Sequence, residues 1–172
     1  MKRRLALLTL TTLAAVALIG VVWTAPSPAL AEGATQISGV ASFDEAVPPP
    51  DCAPVTPPAD YALVMSGDLV GCLYTFVDHE TTQSSPSGTY RETGTETFVG
   101  SYLGKSGTFK TTYRFEAKYE DVDNLVGEQF GRCQHPIVEG SGTGIFEGVS
   151  GQLFFKDDVV TGEFFYRGHL LF

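Results

Sequence analysis

Positively charged residues are scarce in this sequence. The chain has 11 Lys and Arg residues against 20 Asp and Glu residues, which gives a formal net charge of −9 at pH 7. A surface of that sign repels the phosphates of nucleic acids and of anionic lipids. We therefore expect neither a nucleic acid nor a membrane surface as a partner of the mature protein.

Metal-binding and redox motifs are also missing. The chain has three cysteines and three histidines, with no Cys-x-x-Cys pair and no zinc-type spacing: Cys52, Cys72, Cys133, His79, His135 and His169. Asp121, Asp123 and Asn124 lie together, but the later ligands of a calcium loop do not follow, so this segment is predicted to be a solvated turn. We expect no metal site, and nothing in the sequence indicates a cofactor.

The N-terminus has the pattern of a secretory signal peptide. Three basic residues at positions 2–4 precede an apolar run from Leu5 to Trp23, and small residues follow in "SPALA", which ends at Ala31. The alternative is a retained membrane anchor, because the run is nearly long enough to span a bilayer. We predict a signal peptide over residues 1–31, a mature N-terminus at Glu32 and an extracellular location.

A proline-rich arm separates the N-terminal segment from the rest of the chain. Six prolines lie between Val47 and Asp60, and they remove backbone donors and favour extended geometry. One short strand is predicted before the arm, from Ile37 to Phe43. The predicted organisation is thus an N-terminal strand and arm over residues 32–60, followed by a single domain over residues 61–172.

That domain is predicted to be all-β. From Tyr61 onward no window has helical spacing, and glycine-punctuated runs rich in Thr, Val, Phe and Tyr recur. The clearest run places alternate residues from Phe109 to Tyr119 on one face. The C-terminal run alternates in the same way over residues 164–172. Further predicted strands are Leu63–Phe76, Gly88–Val99, Gln129–Val138, Ile145–Phe146 and Gln152–Asp157. A sandwich and a closed antiparallel barrel are the two candidate architectures.

Glycine is concentrated in "GSGTGIFEGVSG", from Gly140 to Gly151. The run has no Lys-Ser/Thr ending and no helical pattern after it, so it does not indicate a phosphate-binding loop. We predict a hairpin at the rim of a barrel, with Phe146 buried against the aromatic face of the Phe109–Tyr119 strand and with Gly142 or Gly144 in a conformation that a β-carbon would strain.

The sequence from residue 61 to residue 172 resembles the allene oxide cyclase family of β-barrels and, more distantly, plant dirigent proteins. The resemblance lies in "PIVEGSGTGIFEGVSGQLFF" followed by "GEFFYRGHL", with "SGDLVG" and "GTFKTTYRFEAKY" in the family's order. It implies a small closed antiparallel barrel with an apolar lumen, a possible homotrimer, and chemistry on reactive oxygenated small molecules. The family's catalytic glutamate on an early strand, with its nearby asparagines, has no counterpart here, because the proline-rich arm precedes "SGDLVG" and Asn124 is the chain's one Asn.

The disulfide pairing is left open between two choices. An odd number of cysteines in an oxidising compartment leaves at least one unpaired or bonded to another chain. A bridge from Cys52 to Cys72 is favoured, because the arm can reach the first barrel strand, whereas Cys72 and Cys133 should lie on strands that are not neighbours. A bridge from Cys52 to Cys133 is the alternative.

Two glutamates are the candidate catalytic residues. Glu92 and Glu96 share a strand face with Tyr90 and Phe98. If that face points into the barrel, burial raises the pKa of both carboxyls toward the range of a general acid or base. The opposite orientation, with the face that carries Thr93, Thr95, Thr97 and Val99 inward, is the one we favour from sequence.

Two histidines lie close in sequence to a residue that could act with them: His135 to Cys133, and His169 to Tyr166. Cys133 and His135 lie two apart on one face, but nothing in the sequence identifies a residue that would orient the histidine, so we predict a packed or bridged cysteine beside a histidine at the rim. Tyr166 and His169 should lie on opposite faces and cannot act together in the lumen.

We therefore predict a secreted barrel that binds a small apolar or aromatic molecule without turning it over. The candidate ligand contacts are Phe109, Tyr113, Phe115, Tyr119, Phe146 and Tyr166. One alternative is a cyclase or isomerase that uses Glu92 or Glu96 inside the lumen, and another is a module that oligomerises through the outer surface of the barrel.

Overall fold

A computed structural model describes residues 33–44, 52–80 and 84–172, with the side chains of His79 and Glu80 excepted. The predicted signal peptide, its cleavage site and the first three prolines of the arm lie outside the described residues. Within the described ranges, no helix is long and apolar enough to cross a membrane.

Eight antiparallel strands form a closed barrel, and a ninth, very short strand lies against it. The strands are β1 (Thr35–Phe43), β2 (Tyr61–Gly67), β3 (Leu69–Glu80), β4 (Thr89–Tyr102), β5 (Lys105–Asp121), β6 (Val126–Pro136), β7 (Thr143–Gly144), β8 (Ser150–Asp158) and β9 (Glu163–Leu171). The order around the barrel is β4-β3-β2-β1-β9-β8-β6-β5, and pairing between β4 and β5 closes it. The predicted barrel is therefore confirmed, and the sandwich is not formed.

The alternation predicted for the longest strand is confirmed. In β5, Phe109, Thr111, Tyr113 and Ala117 are buried, while Phe115 and Tyr119 are half-buried. Residues between them are mostly exposed. The inward face of β5 therefore runs the full length of the barrel interior.

The predicted start of the barrel is wrong. Strand β1 pairs with β2 on one side and with β9 on the other, so the barrel begins at Thr35 and not at Tyr61. The arm interrupts the sequence without separating two domains, because the strand before it completes the same sheet. Without β1, the edges of β2 and β9 would be unpaired.

Two predicted strands also differ from the structure. The single strand predicted over Leu63–Phe76 is a hairpin, because the chain turns at Gly67, which has a φ of +103°. Asp68 in this turn accepts a hydrogen bond from the backbone N–H of Ser38 at 2.7 Å, which ties the turn to β1. Ile145 and Phe146 are not a strand either, since β7 ends at Gly144.

One end of the barrel is filled by aromatic side chains. Phe98, Phe109 and Phe146 are each 0% exposed. The ring centroids of Phe98 and Phe109 lie 5.0 Å apart, and those of Phe109 and Phe146 also lie 5.0 Å apart. The predicted burial of Phe146 against the aromatic face of β5 is thus confirmed, and we call this region the closed end.

Glycine is required at two positions of the segment that carries Phe146. A β-carbon on Gly142 would overlap the carbonyl oxygen of Phe146, and Gly144 has a φ of +60°, which side chains rarely adopt. These two glycines let the segment fold back and place the Phe146 ring in the barrel, as predicted.

The favoured disulfide is also confirmed. Cys52 is bonded to Cys72 of β3, and Cys133 is a buried free thiol. The bridge is reinforced by a hydrogen bond from the Tyr74 hydroxyl to the carbonyl of Ala53 at 2.8 Å. The arm is therefore attached to the barrel wall just before β2 begins.

Candidate functional site

The other end of the barrel encloses a cavity of about 400 Å³, and we call this region the open end. The cavity lies between the last residues of β1, β5 and β8 and the first residues of β2, β4, β6 and β9. Its lining consists of aromatic rings, carboxyl groups and a few other side chains: Phe43, Asp60, Tyr61, Leu63, Tyr90, Glu92, Glu96, Tyr113, Phe115, Tyr119, Leu125, Glu128, Cys133, His135, Phe155, Asp157 and Phe164.

Glu92 faces this cavity and is held by three phenol groups. The hydroxyls of Tyr113, Tyr90 and Tyr61 donate to its carboxylate at 2.5, 2.6 and 3.4 Å. Burial, and next the interaction with Glu92, raises the pKa of Tyr61 and of Tyr113 well above the usual range. These tyrosines therefore remain protonated and act as donors to the carboxylate.

Glu96 lies deeper, where it forms a buried pair with His135. The two side chains are 2% and 3% exposed, and His135 Nδ1 lies 2.6 Å from Glu96 Oε2. The hydroxyls of Thr111 and Thr75 also donate to the Glu96 carboxylate, at 2.6 and 3.3 Å. Within the described part of the chain, His135 Nε2 has no hydrogen-bond partner although it is buried.

The orientation that we favoured for β4 is therefore wrong. Glu92 and Glu96 point into the barrel with Tyr90 and Phe98, while Thr95 and Val99 are exposed on the outside. The inward carboxyls are tolerated because each is surrounded by donors from neighbouring strands, which offset the loss of water. The sequence shows the two glutamates but not the tyrosines and threonines that pair with them across the sheet.

The prediction of a rim position for His135 is also wrong. His135 lies opposite Leu153 of β8, and its ring centroid is 4.4 Å from that of Phe155. Cys133 does share the inward face of β6 with it, as predicted. Burial raises the pKa of the Cys133 thiol far above its usual value, so the sulfur is held as an unreactive thiol.

A second carboxyl pair, Glu128 of β6 and Asp157 of β8, also lines the cavity. Both carboxyls lie over Gly131, where a β-carbon would overlap Asp157 Oδ2 and approach Glu128 Oε1. Burial, and then hydrogen bonding to Glu128 and its charge, raises the pKa of Asp157 to about 8. At neutral pH Asp157 therefore keeps its proton, which it can donate to Glu128.

Glu128 was not among the predicted site residues because a bulge conceals its direction. Lys118 is opposite Phe130 and Tyr119 is opposite Glu128, so the pairing skips Gln129. Strict alternation from Cys133 would turn Gln129 inward and Glu128 outward, and the extra residue reverses this. Asp157 continues the inward alternation of β8 after Leu153 and Phe155, and that signal was present in the sequence.

Three of the six predicted ligand contacts line the cavity. These are Tyr113, Phe115 and Tyr119. Phe109 and Phe146 are packed in the closed end. The hydroxyl of Tyr166 accepts a hydrogen bond from the Leu69 N–H at 2.9 Å and donates to the Ser66 carbonyl at 3.1 Å, so it ties β9 to the β2–β3 turn.

The remaining candidates lie away from the cavity. His169 is on the face of β9 opposite Tyr166, as predicted. The Asn124 side chain donates to Asp121 at 2.8 Å in an exposed turn. Among the residues that the structure describes, no group of three or more His, Cys, Asp or Glu side chains is placed to hold a metal ion.

Comparisons with family models, with characterised proteins and with solved structures find no match to this chain.

Proposed function

We propose that this protein is exported and binds a small molecule with an aromatic or apolar body in the open end of its barrel. The observation that carries the proposal is the cavity of about 400 Å³ inside a barrel whose other end is densely filled. Protein interiors leave few voids larger than a water molecule. A volume of this size, with aromatic walls and a few placed polar groups, is typical of a ligand site.

Export is supported by the signal-like N-terminus and by the Cys52–Cys72 disulfide, since such bonds persist mainly in oxidising compartments. The resemblance to allene oxide cyclase-like barrels supports a lumen that receives small organic molecules. Neither the support for export nor the family resemblance depends on the cavity.

Binding can be tested with N-phenyl-1-naphthylamine, an uncharged aromatic dye that fluoresces in apolar surroundings. The mature protein should enhance its fluorescence saturably. The variant Phe115→Trp adds volume at the cavity wall and should weaken binding at least tenfold. The same change at Phe154, which is on the outer surface, should leave binding unchanged.

Absence of saturable binding to the wild-type protein would overturn the proposal. Equal binding by the Phe115 and Phe154 variants would also overturn it, because it would place the dye outside the lumen. The chain's one tryptophan is Trp23, in the predicted signal peptide, so either variant introduces the sole tryptophan fluorescence of the mature protein.

A second candidate function is acid–base catalysis, as in an isomerase or cyclase, and one observation favours it. Glu92 and the Glu96–His135 pair both lie inside the cavity, where a bound molecule can exchange a proton with them. In this scheme Glu96 positions the imidazole, and the Nε2 atom of His135 accepts the proton.

Proton abstraction can be followed with 2-tetralone, whose α-hydrogens exchange with deuterated water at a rate measurable by proton NMR. The wild-type protein should accelerate this exchange, and Glu96→Gln should remove most of the acceleration. An exchange rate no faster than in buffer with an equal concentration of free imidazole would count against catalysis and would leave the binding proposal intact.

A further inference from the structure

We infer that the molecule bound in the open end is a protonated amine on an aromatic body, and that its ammonium group lies beside the Glu128–Asp157 pair. The inference rests on the proposed binding function and specifies the chemical class of the ligand.

The ionisable side chains that line the cavity are mostly acidic. Five acidic side chains line it: Asp60, Glu92, Glu96, Glu128 and Asp157. Of the residues that the structure describes, no Lys or Arg lines it, and His135 is its one basic side chain. A ligand carboxylate or phosphate would enter a low-dielectric space with no cation to pair with, which is costly.

The hydroxyl donors around Glu92 and Glu96 are already engaged. Glu92 accepts from three tyrosine hydroxyls, and Glu96 accepts from two threonine hydroxyls and from His135. When Nδ1 of a neutral His135 donates to Glu96, the Nε2 atom is left as an acceptor. The cavity therefore offers acceptors to its ligand, and a ligand rich in donors complements it.

An unpartnered ring nitrogen deep in the cavity is independent evidence for a ligand that forms a hydrogen bond there. His135 is 3% exposed, and its Nε2 atom has no partner among the described residues. A buried polar atom without a hydrogen bond costs roughly 1–3 kcal/mol. A hydroxyl on the ligand's aromatic body can supply the missing donor.

The two carboxylate sites are not equivalent for binding an ammonium group. Glu92 and Glu96 are each surrounded by donors, whereas Glu128 and Asp157 receive no donor from the described residues beyond the proton of Asp157. Tyr119 is paired with Glu128 across β5 and β6, and burial, followed by the charges of Glu128 and Asp157, raises the pKa of its hydroxyl to about 12. Carboxylates beside an aromatic ring are the usual surroundings of a bound ammonium group.

Three phenols of similar size whose head groups differ in charge test the inference: tyramine, which is a cation, tyrosol, which is neutral, and 4-hydroxyphenylacetate, which is an anion. Each is titrated calorimetrically into the mature protein at pH 7.5 and low salt. Tyramine should bind at least tenfold more tightly than tyrosol, and 4-hydroxyphenylacetate should bind most weakly.

A charge-removing variant locates the ammonium group. Glu128→Gln combined with Asp157→Asn should lower tyramine affinity at least tenfold and leave tyrosol affinity within about threefold, because only the charged group contacts the pair. The matched control is Glu139→Gln combined with Glu147→Gln, which changes two exposed glutamates outside the cavity lining. It should leave both affinities unchanged.

Several outcomes would overturn the inference. Equal binding of tyramine and tyrosol, tighter binding of the anion, or an equal loss of tyramine affinity in both double variants would each do so while leaving lumen binding in place. Binding of the dye without binding of any of the three phenols would also overturn the inference and leave lumen binding in place. Failure of the dye as well would remove the binding function itself. The ranking by the wild-type protein decides the ligand class even if the double variant does not fold.

Discussion

The two ends of the barrel are built from the same strands but differ in what their inward side chains contact. At the closed end, β4 and β5 contribute Phe98 and Phe109, which pack against each other and against the Phe146 ring. At the open end, the same two strands contribute Glu92 and Tyr113, whose side chains line the cavity and are hydrogen-bonded to each other. A barrel can thus obtain its stability at one end and leave the other end free to bind a ligand.

The largest expected effect comes from truncating the closed end. Phe146→Ala should destabilise the protein by about 3–5 kcal/mol, as truncation of a fully buried Phe does. Phe115→Ala at the open end should cost less than about 2 kcal/mol, because this ring is half-buried and borders an existing cavity. Urea denaturation of the two variants measures the difference.

Equal losses in these two variants would remove the distinction between the ends. Gly144→Val provides a second probe of the closed end, because the φ of +60° strains a branched side chain. If both Phe146→Ala and Gly144→Val melt close to the wild type, the glycine-rich segment does not contribute to the core.

The next effect concerns the buried pair between the two ends. Glu96→Ala should cost about 2–4 kcal/mol, since it leaves His135 and Thr111 without their shared partner. Combining Glu96→Leu with His135→Leu should recover most of that loss, because an apolar pair no longer needs a partner. Thermal denaturation distinguishes the two variants, and a double variant no more stable than Glu96→Ala would show that the pair stabilises the fold directly.

The pH dependence of stability should come from the open end. The pKa of Asp157 is raised to about 8 in the folded protein, so the folded state holds a proton that the unfolded state releases near pH 4. Stability from this group is complete below about pH 4 and is lost as the pH rises through about 8. Asp157→Asn removes the ionisable group and should therefore remove this loss of stability at high pH.

The variant should therefore be more stable than the wild type above pH 8, by about 1–2 kcal/mol once solvent screening at the cavity is allowed for. Denaturation series at pH 5 and pH 9 measure this difference. Asp158→Asn, at the neighbouring turn, is a control that should not change the slope between the two pH values. Parallel wild-type and Asp157→Asn curves would show that Asp157 ionises normally.

The closed end could be predicted from sequence more completely than the open end. Alternation along the Phe109–Tyr119 strand and the glycines around Phe146 depend on local rules, and both gave correct predictions. The open end depends on contacts between strands. The partners of Glu96 come from β3, β5 and β6, and no local pattern in "TYRETGTETFVG" reveals them.

Local patterns also failed where one residue changes the register. A turn at Gly67 divides a run that otherwise has the composition of one strand, and the bulge at Gln129 reverses the direction of Glu128. A single added residue moves every later side chain to the opposite face of a strand. Glu128 was missed for this reason.

The smallest expected effect compares a glycine at each end. Gly131→Ala places a methyl group against the flexible carboxyls of Asp157 and Glu128, which can move aside, so the cost should be below about 1 kcal/mol. Gly107→Ala at the closed end meets the backbone carbonyl of Thr143 and the Phe146 ring, which cannot move as easily, and should cost more. Moving the carboxyls toward water should also lower the pKa of Asp157, which carbon-detected NMR titration measures. An unchanged Asp157 pKa in Gly131→Ala would show that the space above Gly131 does not hold the two carboxyls together.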